Sequence, residues 1–190
     1  MAAGPATSAL LIVDMINPMD FPGAERLARQ ALPMLPALVR LKRRLKARGV
    51  PVVYVNDNFT HWLSDFRELV AICSQPGSRG APLAEAVAPE HDDYLVLKPK
   101  HSAFFATPLE VLLSQLGASR VIVTGIAGDG CVLATATDAH MRDFETIVPA
   151  DCCASITRAR NDRALRVLRD SMGIDIRAGS RVLPGRRRGA

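Results

Sequence analysis

The chain has 190 residues, 48% of them hydrophobic and 23% charged, which suits one globular domain with a substantial core. Its formal net charge is +5, but four arginines lie within the last ten residues, so the rest is nearly neutral and a nucleic-acid partner is not expected. The opening residues resemble neither a signal peptide nor a membrane span, so we expect a cytoplasmic protein with no membrane partner and four free thiols. We predict a single domain over residues 1–180 and a basic, disordered tail over 181–190.

Short apolar runs rich in valine and isoleucine predict strands buried on both faces, at 9–14, 52–55, 94–97, 121–125 and 146–149. A weaker sixth strand is predicted at 174–177. Helical patterns lie between the strands, at 25–48, 62–74, 107–117, 131–142 and 158–172, and Pro33 and Pro36 interrupt the first of them. This alternation predicts a doubly wound α/β sandwich with a mostly parallel six-stranded sheet. Its right-handed crossovers bring the loops that follow the strands to one edge.

Three polar residues follow predicted strands and should converge at that edge: Asp14, Lys98 and Cys131. A base, a cation and a nucleophile are the set that an acyl-transfer site needs. The helix dipole and the Lys98 ammonium could lower the pKa of Cys131, and Asp14 could accept the thiol proton. Each residue alone also has a plainer interpretation, as a turn residue, a solvated cation or a small packed side chain.

The loop before Cys131 is rich in glycine, with Gly125, Gly128 and Gly130. Glycines permit backbone conformations in which N–H groups point at a developing oxyanion. Such a loop could equally cradle a phosphate. It lacks both the P-loop pattern and the G-x-G-x-x-G spacing, so we rank phosphate binding below acyl transfer.

Three ordered blocks carry a family resemblance: LLIVDMINPMDF, LKPKHSAFFATPLEVLL, and VIVTGIAGDGCVLATATDAHMRD followed by VPADCCAS. Over about residues 8–180 the chain resembles the isochorismatase-like cysteine hydrolase superfamily, which includes nicotinamidases and N-carbamoylsarcosine amidases. The resemblance implies the α/β sandwich, an oligomer (dimer or tetramer), and a catalytic triad of Asp14, Lys98 and Cys131, with Lys100 as the rival lysine. It also implies a cis peptide bond between Ile126 and Ala127 and an oxyanion hole formed by the N–H groups of Ala127 and Cys131.

The chain departs from the nicotinamidase pattern at the metal site. Nicotinamidases carry an Asp-x-His motif after the second strand, but Phe59 stands where the histidine after Asp57 would fall, and His61 is two positions later. We therefore expect no metal and no other cofactor. Isochorismatases that hydrolyse a vinyl ether often lack the cysteine, so Cys131 favours cleavage of a C–N bond.

A small-molecule pocket could be lined by seven aromatic, amide and imidazole side chains: Asn17, Phe21, Asn58, Phe59, Trp62, His101 and Phe104. For the aromatic residues, core packing or a subunit interface is an equal alternative. The leading hypothesis is a metal-independent cysteine hydrolase of the amidohydrolase type, which cleaves a small amide or carbamoyl compound through a thioester. A vinyl-ether hydrolase and a non-catalytic ligand-binding or redox-sensing relative remain open alternatives.

Overall fold

The computed structural model describes residues 8–59 and 62–184. Six strands form one sheet in the order β3-β2-β1-β4-β5, with β6 also paired to β4, and every pairing is parallel. The strands are β1 (Ser8–Val13), β2 (Val52–Asp57), β3 (Tyr94–Lys98), β4 (Arg120–Ile126), β5 (Glu145–Ile147) and β6 (Cys153–Ala154). The predicted α/β class is confirmed.

The sixth strand is not the predicted segment 174–177. Asp175 makes only an isolated bridge with Ile147. Its carboxylate accepts a hydrogen bond from the Arg177 N–H at 2.8 Å, a local turn that ends the extended pairing. The strand that completes the sheet is instead β6, which pairs with the last two residues of β4.

The described residues form seven α-helices, which lie between the strands or, for the last, after them. They are α1 (Ala24–Ala31), α2 (Leu35–Lys46), α3 (Phe66–Cys73), α4 (Ala81–Ala86), α5 (Leu109–Gln115), α6 (Leu133–Met141) and α7 (Arg158–Met172). The predicted helix 25–48 is two helices joined by a 3₁₀ turn at Leu32–Met34, because Pro33 and Pro36 cannot donate helical hydrogen bonds and sit at helix starts. Helix α4 escaped prediction, since six residues show too little periodicity.

Helices cover both faces of the sheet. Leu10 and Ile12 of β1 pack into a core with α1 to α4, whereas Leu11 and Val13 pack with α5 to α7 on the opposite face. Every residue of β1 is buried, as expected for a central parallel strand. Two apolar layers therefore hold the sheet rigid, and its carboxyl edge is where polar side chains can gather.

The C-terminal segment packs on the fold further than predicted. Val182 is fully buried, and its carbonyl accepts a hydrogen bond from the Arg44 guanidinium at 2.9 Å. The predicted tail therefore does not begin at residue 181, and residues 185–190 lie outside the described residues. The four cysteines are free thiols. Within 8–59 and 62–184, no helix is both long and apolar enough to cross a membrane.

Candidate active site

The ends of three parallel strands bring Asp14, Lys98 and Cys131 together at the carboxyl edge of the sheet. Asp14 follows β1 directly, and Lys98 is the last residue of β3. Cys131 lies in a single π-helical turn, Gly128–Val132, which we call the Cys131 turn and which joins β4 to α6. Buried strands thus fix the backbone from which each side chain starts.

The Lys98 ammonium lies between the other two groups. Its Nζ is 2.9 Å from Asp14 Oδ2 and 3.4 Å from Cys131 Sγ. It also donates to the Lys100 carbonyl at 3.1 Å. Lys98 is fully buried, whereas Lys100 is exposed and contributes only its backbone. The geometry therefore places Lys98, not Lys100, beside Asp14 and Cys131.

The Asp14 carboxylate is held from the neighbouring strand. Its Oδ1 accepts a hydrogen bond from the Asp57 N–H at 2.7 Å, and its own N–H donates to the Val55 carbonyl at 3.0 Å. Asp14 has a φ of 52°, a left-handed conformation that is uncommon outside glycine and concentrated at functional sites. The chain turns sharply here, and the carboxylate is anchored at one oxygen while the other meets Lys98.

The protonation of Cys131 differs from the sequence-based expectation. Burial raises the pKa of the thiol to about 12, and the Asp14 carboxylate raises it further than the Lys98 ammonium lowers it. The predicted lowering of this pKa is therefore wrong, because the sequence does not reveal how close the carboxylate lies. With its pKa raised in this way, Cys131 is a thiol at neutral pH.

Burial also raises the pKa of Asp14 above its usual value, against the opposing effects of Lys98, Cys131 and the Asp57 N–H. Burial alone would lower the pKa of Lys98, but the charge of Asp14 and the neighbouring Cys131 raise it above its ordinary range. The lysine therefore keeps its positive charge, and Asp14 is a stronger base than a solvated aspartate.

Two of the three glycines in the predicted loop have no room for a side chain: Gly125 near the end of β4 and Gly128 at the start of the Cys131 turn. Gly125 has a φ of 110°, and a Cβ there would lie 2.1 Å from the Val13 carbonyl oxygen. At Gly128 a Cβ would lie 2.0 Å from Asn161 Oδ1, whereas Gly130 has no atom closer than 3.7 Å. The surroundings of Gly130 are open, so nothing around this position requires a glycine.

The peptide bond between Ile126 and Ala127 is cis, at the position that the resemblance implies. The Ala127 carbonyl then accepts hydrogen bonds from the N–H groups of Gly130 and Val132, at 2.9 and 3.1 Å. These bonds close the turn, and both Ala127 and Cys131 face a pocket of about 560 Å³.

Comparison with known proteins identifies the family. The isochorismatase domain family matches residues 8–178. The chain belongs to this family.

Its relatives within the isochorismatase family include the uncharacterised protein YaaI of Bacillus subtilis, 36% identical over 94% of this chain and 97% of that protein. Maleamate amidohydrolase of Pseudomonas putida is 32% identical over 76% of this chain and 70% of that protein. The crystal structure of an isochorismatase family protein from Desulfovibrio vulgaris has a TM-score of 0.75 at 26% identity, covering 92% of this chain and 95% of that chain. These likenesses confirm the family and its fold.

Four of the seven predicted pocket residues line the pocket beside Cys131: Asn17, Phe21, Phe59 and His101. The other three, Asn58, Trp62 and Phe104, do not. Trp62 is 59% exposed. Its backbone N–H donates a hydrogen bond to the Asn58 side-chain oxygen within their own loop. Phe104 is a core residue, buried with its ring 5.8 Å from that of Phe144. Of the two alternatives that the sequence left open for Phe104, pocket lining and core packing, core packing is therefore the correct one.

Sequence reasoning missed three charged residues that line the pocket, Asp20, Asp129 and Arg160. Arg160 Nε donates to Asp129 Oδ2 at 2.5 Å, and this contact, with the Ser155 hydroxyl, lowers the pKa of Asp129 against the effect of burial. Asp57 lines the pocket as well. Arg160 lies in the first turn of α7, after the last strand, so the rule that loops after parallel strands share one edge could have found it.

The nicotinamidase metal motif has no counterpart among the described residues. Asp57 lines the pocket next to Phe59, whose ring cannot ligate a metal. Over 8–59 and 62–184, no three His, Cys, Asp or Glu side chains are grouped to hold a metal ion. His61 lies outside these ranges. The described residues do not fit that site, and no step below involves a metal.

Proposed function

We propose that the protein is a cysteine hydrolase that cleaves the C–N bond of a small amide or carbamoyl compound through a thioester, without a metal. One observation carries the proposal: a buried ammonium lies between a carboxylate and a thiol that opens onto a pocket. The likeness to maleamate amidohydrolase supports an amide as the substrate.

In the first step, the Asp14 carboxylate takes the proton of the Cys131 thiol as sulfur attacks the substrate carbonyl carbon. Because Asp14 takes the proton in the same step as the attack, no free thiolate has to accumulate. The carbonyl oxygen becomes an oxyanion, for which the N–H groups of Ala127 and Cys131 are the proposed donors.

In the second step, the protonated Asp14 gives its proton to the substrate nitrogen as the C–N bond breaks. The amine leaves, and the acyl group remains on Cys131 as a thioester. Water then attacks the thioester carbon and loses a proton to Asp14. The C–S bond breaks, the carboxylic or carbamic acid is released, and the proton returns from Asp14 to Cys131.

Lys98 stays charged throughout this cycle. Its ammonium lies 3.4 Å from Cys131 Sγ, so it stabilises the negative charge that develops on sulfur as the proton leaves. The raised pKa of Asp14 suits a group that must both take and return a proton, because a weakly basic carboxylate would return it too readily.

A redox-sensing role is less well supported than hydrolysis. Sensor cysteines are exposed and have a low pKa, since the thiolate is the species that oxidants attack. The pKa of Cys131 is raised to about 12, and the thiol is protonated at rest.

The experiment is a panel of small primary amides, ureido acids and carbamoyl compounds, with release of ammonia or amine as the measured quantity. We expect turnover of at least one compound by the wild type and none by Cys131→Ala. Cys73→Ala is the matched control, because Cys73 is a buried thiol of α3 outside the pocket.

Two results would contradict the proposal. The first is turnover by Cys131→Ala at the wild-type rate. The second is hydrolysis of a vinyl ether that needs Asp14 but not the thiol, which would assign the chain to the vinyl-ether type of hydrolase.

A further inference from the structure

We propose that Ser155 and Asn161 are positioning residues that hold the Cys131 turn at the distance from Asp14 that proton transfer requires. They touch neither the sulfur nor the pocket beside it, and they act through the backbone of Gly128 and Asp129. The inference deepens the proposed function and relies on it for the role of the turn.

A continuous chain of hydrogen bonds connects the turn to β6. Ser155 Oγ accepts a hydrogen bond from the Asp129 N–H at 2.9 Å and donates to Asn161 Oδ1 at 3.1 Å. Asn161 Nδ2 in turn donates to the Cys153 carbonyl at 3.3 Å. Ser155 is 1% exposed and Asn161 is 8% exposed, so water can replace these bonds only poorly.

The turn also rests directly on these two side chains. A Cβ on Gly128 would lie 2.0 Å from Asn161 Oδ1 and 3.1 Å from Ser155 Oγ. The Gly128 backbone is therefore in direct contact with the Asn161 side chain. The Asn161 side chain limits how closely the Gly128 backbone can approach α7. The Ser155 hydroxyl orients the N–H group of Asp129.

The same short unit also holds the strand that leads into the turn. Ser155 follows β6, whose two residues pair with Gly125 and Ile126 at the end of β4. Asn161 lies in the first turn of α7, which Thr157 caps by accepting the Arg160 N–H at 3.3 Å. The chain segments before and after the cis bond are thus both fastened to the β6–α7 junction.

Position matters here because the proposed proton transfer needs Cys131 close to Asp14. Both groups meet the same ammonium, since Lys98 Nζ lies 2.9 Å from Asp14 Oδ2 and 3.4 Å from Cys131 Sγ. Asp14 is anchored separately, by β2, through the Asp57 N–H at 2.7 Å. A shift of the Cys131 turn by a fraction of an ångström therefore changes the distance between Cys131 and Asp14 directly. Misplacement of that size costs catalysis far more than it costs binding.

The test is Ser155→Ala, which removes only the hydroxyl. We expect kcat to fall about tenfold, as for the loss of one buried hydrogen bond, with KM within about twofold of the wild type. The control is Thr146→Val, because Thr146 is also buried and its hydroxyl donates to the Phe144 carbonyl at 3.0 Å, in β5 and away from the pocket. Thr146→Val should lower the melting temperature comparably and leave kcat unchanged.

A second readout needs no substrate. Alkylation of Cys131 by iodoacetamide at pH 8, followed by peptide mass spectrometry, should be severalfold faster in Ser155→Ala. A loosened turn exposes the thiol and separates it from the carboxylate that raises its pKa. Thr146→Val should react at the wild-type rate. Asn161→Ala should behave like Ser155→Ala, since it breaks the same chain.

The two proposals fail in different ways. Unchanged alkylation and unchanged kcat in Ser155→Ala, with amide turnover intact, would overturn the positioning role and leave the hydrolase standing. Faster alkylation in Ser155→Ala and Asn161→Ala, with no amide cleaved by the wild type, would support the positioning role and count against the hydrolase.

Discussion

The three residues at the strand ends, Asp14, Lys98 and Cys131, which we call the inner wall, differ from the outer rim of the pocket, represented by Asp20, Phe21 and Phe59. Asp14 and Cys131 line the pocket, and Lys98 is buried between them. Lys98 is 0% exposed and Asp14 is 6% exposed, whereas Phe21 is 38% exposed. The inner wall is built on strand ends inside two packed cores, and the rim on loops. The strand ends therefore carry the proposed chemistry, and we expect the loops of the rim to carry the choice of substrate.

The largest expected effect comes from removing the base of the inner wall. Asp14→Asn keeps the shape but cannot take the thiol proton, so we expect kcat to fall about a thousandfold or more. Asp20→Asn makes the same chemical change at the rim and should alter kcat by less than about threefold. The measurement is steady-state hydrolysis of an amide found in the panel. Equal losses of kcat in the two variants would contradict the claim that the inner wall, and not the rim, carries the chemistry.

The pH dependence of kcat/KM sharpens the same contrast. Asp14 must be ionised to accept the proton, so activity should fall about tenfold for each pH unit below its pKa. Burial raises that pKa above the usual aspartate value of 3.8, so the midpoint of the acid limb should lie above 3.8. Asp20→Asn should leave this limb in place. A wild-type midpoint at or below 3.8 would show that Asp14 is not the group that titrates.

A smaller effect is expected from the glycines of the Cys131 turn. Gly128→Ala forces a methyl group against the buried Asn161 side chain and should destabilise the fold by about 1–3 kcal/mol. Gly130→Ala has room for its methyl group and should change stability by less than about 1 kcal/mol. Urea denaturation followed by circular dichroism measures both. Equal destabilisation would mean that the turn is not seated on Asn161 as described.

The smallest effect is expected at the loop beyond the rim. Trp62 is 59% exposed and does not line the pocket. Trp62→Ala should therefore leave kcat and KM within about twofold of the wild type. Phe59→Ala, at the rim of the pocket, should raise KM more. A large rise of KM in Trp62→Ala but not in Phe59→Ala would mean that the substrate binds outside the pocket, at the loop that contains Trp62.

The inner wall was predictable because local pattern decides it. Buried apolar strands stop at polar residues, and parallel topology brings those residues to one edge, so Asp14, Lys98 and Cys131 follow from the sequence. Helix α7 has the predicted bounds, since Thr157 caps its start and Gly173, with a φ of 67°, ends it.

Three features were not predictable. Two of them depend on distances between residues that lie far apart in the chain, and the third is a strand too short to leave a pattern. The protonation of Cys131 depends on Asp14, more than a hundred residues away in the chain. Phe104 could equally have faced a ligand or the core until its contact with Phe144 was known. Strand β6 has only two residues, too few for any periodicity to mark it.

The central claim is that Cys131 is a resting thiol controlled by Asp14 and Lys98. The rate of Cys131 alkylation by iodoacetamide against pH, in the wild type and in Asp14→Asn, tests it most directly. We predict slow wild-type labelling that is still rising at the highest accessible pH, since the pKa is about 12. Asp14→Asn should shift the curve to lower pH, because Lys98 then acts unopposed. Fast wild-type labelling well below pH 8, unchanged in Asp14→Asn, would contradict the account.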